Sequence, residues 1–577
     1  MNKKASAKKT IGITKTLGLA TISAGFLCQT ANAQLTQNIT MGNPKALALG
    51  HAVTADPPGI DSIHFNPAGL AKIKGRQRQL KLLAAQITFE SQFGEAEIPD
   101  ETKIALCSVT EGCDVNNDSD VQNVWPEDTF LEENGRKSST SDPVLMLPGS
   151  GLTSVPFLVV PIGGIAVQDP DYGWTMATAA YSPMAIGYER DVNDPATFQG
   201  EQIGISRITY FSPSIGLKFN DELMFGASIG FSWQGLGIKT KFRAPEPTIA
   251  FIADAAKDIT NFSPDLLRSI SPYDTIGTLT LEMEDAMSLS FNLGVLWEPT
   301  DWLALGAVYQ SESKSNLEGD YKMEYTGEFG EMASSLHALN ILLGPILGND
   351  IRGPSDAGNI QACLDESLQG NRAKCEYIEK GDIEMEFIVP QHISLGASVN
   401  VLPDLKVNFD VKWTDYKAWE SLDFTFDPAV DFLTVADLVY RFRADDNADP
   451  DEMRIPRDYV SEISWALGIE YQYDDNLVLR FGYEPRGSAV PDNKVDLLAP
   501  IADATLYSVG AGYQLDKFSR VDFAMAWLNS EFDAAAGESD NANSNSPGHV
   551  VYNPYAGIPI SAQTNAYIFA LSYDTKF

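Results

Sequence analysis

Along much of this chain large apolar residues alternate with small or polar ones. In "RVDFAMAWLN" one parity is Val521, Phe523, Met525 and Trp527, and the other is Arg520, Asp522, Ala524 and Ala526. "NAYIFALSYDTKF" sets Tyr567, Phe569, Leu571, Tyr573 and Phe577 against Ala566, Ala570, Ser572, Asp574 and Lys576, and "LMFGASIGFSWQ" behaves the same way. Period two predicts strands with one apolar face, and aromatics near the segment ends suit strands that face lipid between interfacial girdles. The pattern predicts strands near 80–94, 153–168, 173–190, 204–219, 222–241, 276–298, 301–326, 382–401, 404–422, 461–473, 476–490, 503–515, 518–532 and 563–577. Short connections ("DPDY", "ND", "PT", "LP", "DD", "DK") alternate with long ones, as at 95–152, 242–275 and 327–381. A soluble sandwich has no reason to sort its loops by length. A transmembrane antiparallel β-barrel of fourteen strands does, with short periplasmic turns and long extracellular loops.

The ends agree with export. Lys3, Lys4, Lys8, Lys9 and Lys15 precede the apolar "LGLATISAGFL" and the "ANA" of residues 31–33, the pattern of a signal peptide over residues 1–33. No later apolar run is long enough for a helical span. The formal charge of −37 excludes nucleic acid as a partner. Much of the acidity sits in predicted outer loops: residues 95–152 carry thirteen acids and three bases. A solvated, self-repelling loop surface is one reading of this, and divalent-cation bridging to lipopolysaccharide is another. Four cysteines follow the signal, Cys107 and Cys113, then Cys363 and Cys375, as two sequence-local pairs in polar loops. In an oxidising compartment they read as two disulfides. Zinc is the alternative, although the spacings are wrong for it and no histidine is adjacent.

One stretch fits no strand. "HFNPAGLA" (64–71) holds a proline that cannot donate to a ladder, and Asn66 before it is pushed towards extended geometry. The chain from about residue 42 resembles the FadL-type outer-membrane transporters of long-chain fatty acids and other hydrophobic compounds. The resemblance is carried by "ALALGHAVTADPPGIDSIHFNPAGLA", "YGWTMATAAYSPMAIGYE", "WEPTDWLALGAVYQSESKSNLEGDY", "VPQHISLGASVNVLPDLKVNFDVKWTDYKAWESL" and "WALGIEYQYDDNLVLRFGYEPRGSAVPD". It implies an N-terminal plug, or hatch, inside the barrel lumen (residues 34–79, with the barrel at 80–577), and places Asn66, Pro67 and Ala68 in it as gating residues. It implies an outer ligand groove in the loops after the fifth and seventh strands. There "PTIAFIADAAKDITNF" supplies Ile249, Phe251, Ile252 and Ile259, and "FGEMASSLHALNILLGPIL" supplies Phe329, Leu336, Leu339, Leu342 and Leu343. It also implies a kinked third strand that opens the wall sideways, for which Pro183 and Gly187 are the candidates. Pro156, Pro161 and Pro213 also fall in predicted strands.

His51, His64, His337, His392 and His549 are the only histidines, and no spacing marks a nucleophile–base pair, so neither an enzyme nor a cofactor is expected. The expectation is a monomeric outer-membrane channel of a Gram-negative bacterium, placed by the barrel-insertion machinery among outer-membrane lipid and lipopolysaccharide. It would pass long-chain fatty acids or other hydrophobic molecules without energy coupling. Burial would supply about 0.8 kcal/mol per methylene. The alternatives are a general porin for polar solutes and a channel for alkanes or monoaromatics. Mass mapping of the unreduced protein should find Cys107–Cys113 and Cys363–Cys375; free thiols or cross-pairing between the loops would overturn that reading.

Overall fold

Backbone hydrogen bonds run unbroken around the seam of the sheet. The first barrel strand, β1 (Arg76–Phe93), pairs antiparallel with the last, β14 (Ile560–Lys576), from Gln77↔Lys576 to Phe93↔Ile560. Between them come β2 (Leu158–Gln168), β3 (Trp174–Glu189), β4 (Gln202–Phe211 with Ser214–Lys218), β5 (Leu223–Arg243), β6 (Thr275–Thr300) and β7 (Leu303–Gln310 with Ser313–Tyr325). They are followed by β8 (Ile378–Val389 with His392–Leu402), β9 (Leu405–Thr414 with Ser421–Asp427), β10 (Glu452–Pro456 with Glu462–Gln472), β11 (Leu477–Arg486), β12 (Ala504–Gln514) and β13 (Ser519–Ala534). Each strand pairs with its sequence neighbours, giving a closed fourteen-strand antiparallel barrel. The computed structural model describes residues 38–97, 114–117, 128–155, 158–171, 173–243, 273–330, 375–433, 451–500, 502–544 and 553–577. The expected signal lies outside them.

The alternation sets the two faces. Phe523, Met525, Trp527, Phe569 and Leu571 point outward and are exposed, while Ala524, Ala526, Ile568 and Ala570 point inward and are buried. Tyr483, Tyr507, Trp527 and Tyr567 stand opposite one another on β11–β14 and form an outer aromatic girdle. Tyr513, Phe518, Tyr573 and Phe577 mark the other rim, beside the short turns. On β6–β9 the wall continues past the apolar band, and its outer face turns acidic. Glu282, Asp320, Asp382 and Asp427 are in register there.

One expected strand and one expected loop are corrected. The 153–168 strand starts at Leu158; Gly151–Ser154 instead pairs with Val144–Leu147 in a separate hairpin. The turn "PGS" (148–150) between those runs is a hairpin signal, and Gly149 and Gly151 have φ of 64° and 67°. The loop expected at 423–460 contributes the outer ends of β9 and β10, paired from Ser421↔Pro456 to Thr425↔Glu452. These pieces are cut off from their strands by Tyr416–Ala418 and by residues 457–461, so they lack the length that makes alternation legible.

Residues 38–73 pack against the inward face of the barrel. Two Asn-Pro steps shape them. Asn43 caps the helix Pro44–Ala48, accepting from Ala46 N at 2.9 Å, and Asn66 caps the 3-10 turn Pro67–Lys72, accepting from Ala68 N at 3.2 Å. Pro at the first helical position costs no hydrogen bond. Asn66 itself is extended (φ −164°, ψ 101°), as expected of a residue before proline.

Inward glycines make the seat. Gly226 and Gly294 are cross-strand partners on β5 and β6. A Cβ on Gly226 would lie 2.0 Å from the Pro67 carbonyl carbon, and one on Gly294 would lie 2.1 Å from Asn66 Oδ1. Gly306 and Gly396 face Thr54, and Gly482 faces Gly50. Gly226→Val should therefore displace the Asn66–Ala68 turn while the outer ladder persists. The expected result is unchanged heat-modifiable gel mobility with new protease cleavage near residues 60–70; continued protection there would overturn the seating argument.

Candidate functional site

Polar contacts tie the inner segment to the wall. Asn66 is fully buried, and its Nδ2 donates to the carbonyls of Thr54 (2.8 Å) and Val295 on β6 (3.1 Å). Asp410 Oδ2 on β9 accepts from the amides of Val53 and Thr54, both at 2.9 Å. His51 Nδ1 lies 2.8 Å from Glu484 Oε2, and that carboxylate also holds Lys412 and Arg486, each at 2.7 Å. Lys81 pairs with Asp61 at 2.7 Å, and Asp56 with both Lys45 and Lys406 at 2.9 Å. Burial works against the Asp56 carboxylate, but the ammonium groups of Lys45, Lys406 and Lys72 outweigh it and hold the pKa well below the usual carboxylate range.

The third strand carries a break. Between Tyr181↔Thr209 and Met184↔Arg207, β3 holds one residue more than β4, so Ser182 and Pro183 form a bulge. Proline brings no N–H to the ladder. The carbonyls freed by the bulge are satisfied by side chains. Ser182 Oγ donates to the Met184 (3.1 Å) and Arg207 (2.9 Å) carbonyls, and Thr40 Oγ1 of the inner segment donates to the Ser182 carbonyl (2.9 Å). On the other side, pairing of β3 with β2 ends at Gly163↔Ala180. Leu158–Ile162 of β2 pair with Ala85–Lys81 of β1 and have no partner on β3. The wall closes again above, where Pro143 bridges Tyr188 and Lys137–Ser139 pairs with Gln92–Glu90. The window between these closures lies inside the aromatic-bounded band, because Gln86 faces Tyr567 and Leu80 faces Tyr573 across the β1–β14 seam.

Gly187 lies beyond the bulge, in register with Gly204 and, through it, with Gly237. These three face away from the lumen, opposite in parity to the inward Tyr188, Ile203 and Ile238. The Val144–Ser154 hairpin runs across them. A Cβ on Gly187 would meet the Val144 carbonyl oxygen at 2.2 Å, and one on Gly237 would meet Leu152 Cγ at 2.6 Å. Glu282 Oε1 on β6 accepts from Leu152 N at 2.8 Å. Gly187 thus seats this outer hairpin, and the register shift of the strand lies at Ser182-Pro183.

Inside, a cavity of about 100 Å³ abuts the bulge, lined by Tyr181, Pro183, Met184, Arg207, Asn292 and Trp419 among others. Above it the lumen wall is apolar, with Phe89, Tyr188, Ile203, Leu281 and Phe387 in one cluster. Phe329 is fully buried there and stacks on Tyr325 with centroids 4.3 Å apart. The other expected groove residues, Ile249, Phe251, Ile252, Ile259, Leu336, Leu339, Leu342 and Leu343, lie outside the described residues, as do Cys107, Cys113 and Cys363. Cys375 is buried and disulfide-bonded.

Residues 22–577 match the family described as outer membrane protein transport protein (OMPP1/FadL/TodX). The chain belongs to this family. It is 23% identical over 247 residues to the long-chain fatty acid transport protein of Escherichia coli O6:H1, an alignment spanning 43% of each protein. Its fold is similar to that of a Pseudomonas aeruginosa FadL homologue (TM-score 0.59, 15% identity, 94% of this chain and 100% of that one). It is also similar to the Pseudomonas putida toluene transporter TodX (TM-score 0.54, 14% identity, 94% and 100%). Like other FadL/TodX-family members, the chain is an outer-membrane β-barrel.

In this family member the sequence reading singled out Asn66, Pro67, Ala68 and Pro183 and passed over Arg207, Thr40 and the hairpin. The repeated Asn-Pro of "NPKALALG" and "NPAGLA" could have extended the reading to the Asn43 cap. No local signal marks Arg207. His64, beside the cavity, donates from Nε2 to Asn38 Oδ1 at 2.6 Å. Burial pushes its pKa from 6.5 down to about 3, helped by the charges of Lys81 and Arg207 and by His51. A histidine held neutral in the folded protein and free to protonate when released favours release as pH falls from 6.5 towards 3. Amide protection of residues 62–66 should therefore fall across that window, with a shallower slope in His64→Gln; equal slopes would remove His64 from the account.

Proposed function

We propose that this protein admits hydrophobic molecules passively, with long-chain fatty acids as the leading class. The loops after β5 and β7 would capture the ligand, the apolar upper lumen would pass it down, and the window between β2 and β3 would release it sideways into the membrane. Residues 38–73 would act as the plug, with Asn66, Pro67 and Ala68 at its seat. The observation that carries the reading is the adjacency of three features: an apolar lumen, a cavity touching Pro183, and an unpaired stretch of wall at the depth of the lipid. A polar porin would not combine a filled lumen with an apolar upper wall. The monoaromatic alternative has the TodX fold likeness in its favour, and the same route would serve it.

Deleting Pro183 removes the extra residue and brings Tyr181 and Met184 into step with Thr209 and Arg207. Uptake of a labelled long-chain fatty acid should fall to the level of cells lacking the protein, while surface binding persists and gel mobility shows a folded barrel. Normal uptake by the folded deletion variant would mean that ligand leaves through the plug, and the lateral route would be wrong.

A further inference from the structure

Beyond Asp427, the last residue of β9, the chain turns inward. Residues 428–433 form a flap over the inner faces of β8, β7 and β5. Val430, Phe432 and Leu433 are buried in the same apolar cluster as Leu279, Tyr321 and Phe329. Phe432 meets Phe242 of β5 with ring centroids 5.2 Å apart. The flap therefore fills apolar lumen that the route proposed above needs.

Its polar contacts converge on two carboxyls. Tyr377 Oη donates to Asp431 Oδ2 at 2.6 Å, and Asp431 N donates to Glu379 Oε2 at 3.2 Å. Tyr325 Oη donates to the same Glu379 oxygen at 2.7 Å and accepts from Phe432 N at 2.9 Å. Tyr321 Oη donates to the Pro428 carbonyl at 3.0 Å. Glu379 stands at the outermost end of β8, beyond Asp382 and above the apolar band. Among the described residues no cation lies within ion-pair distance of either carboxyl. Lys322 and Lys380 stand on the opposite, outward parity of β7 and β8, and Lys322 pairs with Glu324. β5 and β6 bring apolar residues, Phe242, Ile276 and Leu279. The other ionisable groups around the pair are Tyr321, Tyr325 and Tyr377, with Asp382 and Asp427 beside Tyr321.

Neighbouring carboxyls in apolar surroundings resist ionising together. Burial, with the charge of Asp431 adding to it, pushes Glu379 from 4.5 up to about 7 against the hydrogen bonds from Tyr325 and Asp431 N. Burial raises Asp431 as well. In a lifted flap both groups meet water and return towards ordinary values. The closed flap thus holds a proton that the lifted flap releases. Closure is fully favoured below pH 4.5 and is lost as pH rises through about 7.

We propose that residues 428–433 are a proton-held lid on the outer mouth of the lumen, closed in acid and lifted when Glu379 and Asp431 both ionise. The proposal rests on the hydrophobic-uptake reading above and adds regulation to it. A lifted flap withdraws Val430, Phe432 and Leu433 from the upper lumen, and the apolar surface they cover is freed for ligand.

The test uses the full-length protein in nanodiscs and oleyl alcohol, a probe with no group that titrates between pH 5 and pH 8. The unaltered protein should bind it roughly ten-fold faster at pH 8 than at pH 5, the effect of one unit of pKa difference between closed and lifted states. Glu379→Gln with Asp431→Asn keeps the acceptors but cannot ionise, and should be slow at both. Chymotrypsin at pH 8 gives a readout apart from binding: mass mapping should show cleavage after Phe432 in the unaltered protein and protection in the variant. Gel mobility checks that the variant is folded. Equal rates at the two pH values in the unaltered protein, or a variant that keeps the full pH response, would overturn the lid while hydrophobic uptake stands. Equal cleavage of the two proteins would overturn it too. If the unaltered protein binds no alcohol at either pH, the uptake reading falls, and the cleavage comparison alone decides the lid.

Discussion

Lipid offers no hydrogen bonds, so every backbone N–H and C=O at membrane depth must find a partner within the protein. That requirement closes β1 onto β14 and forces the outward side chains to be apolar. It also makes each departure from pairing meaningful. At the β3 bulge the chain presents a residue with no N–H, Pro183, and satisfies the freed carbonyls with two hydroxyls. One hydroxyl, Ser182 Oγ, belongs to the wall, and the other, Thr40 Oγ1, to the inner segment. Part of what makes the break tolerable is therefore supplied by the N-terminal segment, and the state of that segment and the state of the wall are chemically linked.

The interior is divided accordingly. Around residues 38–73 ion pairs and hydrogen bonds run beside apolar packing, in which Leu47 and Ala48 cluster with Leu83 and Leu506, and Leu49, Ile60 and Ile63 with Ala166 and Ala177; on the periplasmic side a polar cavity of about 340 Å³ is lined by Lys45, Glu470, Arg480, Arg520 and Asp522. Above, it is apolar. The ion pairs and amide contacts can be exchanged for water when the segment shifts, at modest net cost per hydrogen bond, whereas the apolar contacts resist such a shift. The inward glycines of β5–β8 and β11 serve the same end. They let backbone approach backbone, so the seat is made by close fit and a few directed bonds such as Asn66 to Val295.

What could be read from the sequence follows the range of each interaction. The strands, their order and the short turns are local, and alternation with loop length was enough to place them. Asn66 before Pro67 is local as well, and its extended backbone was expected. Pro183 was visible but stood among other strand prolines; only the register against Thr209 and Arg207 separates a bulge from a tolerated proline. The pattern leaves the hairpin at 144–154 in the loop as far as residue 152 and joins only Thr153 and Ser154 to the next strand; pairing partners rather than alternation set the hairpin apart. Arg207 was not legible at all. "ISRITYF" places it on the inward parity, but its place opposite Met184 and its bond to Ser313 Oγ depend on the register of β3 and on β7.

These long-range facts converge on a few residues. The extra residue that breaks the ladder also turns Ser182 Oγ towards the Arg207 carbonyl, and Arg207 stands opposite the first residue after the break. Above the unpaired stretch, Pro143 and the hairpin at Gly187 cover the wall from outside the lumen, so that stretch has a fixed upper edge. Its lower edge is the Gly163↔Ala180 pair. The inner segment, the cavity and both limits of the unpaired stretch therefore meet around one bulge. A single-residue change in register on β3 is what separates this wall from a continuous one.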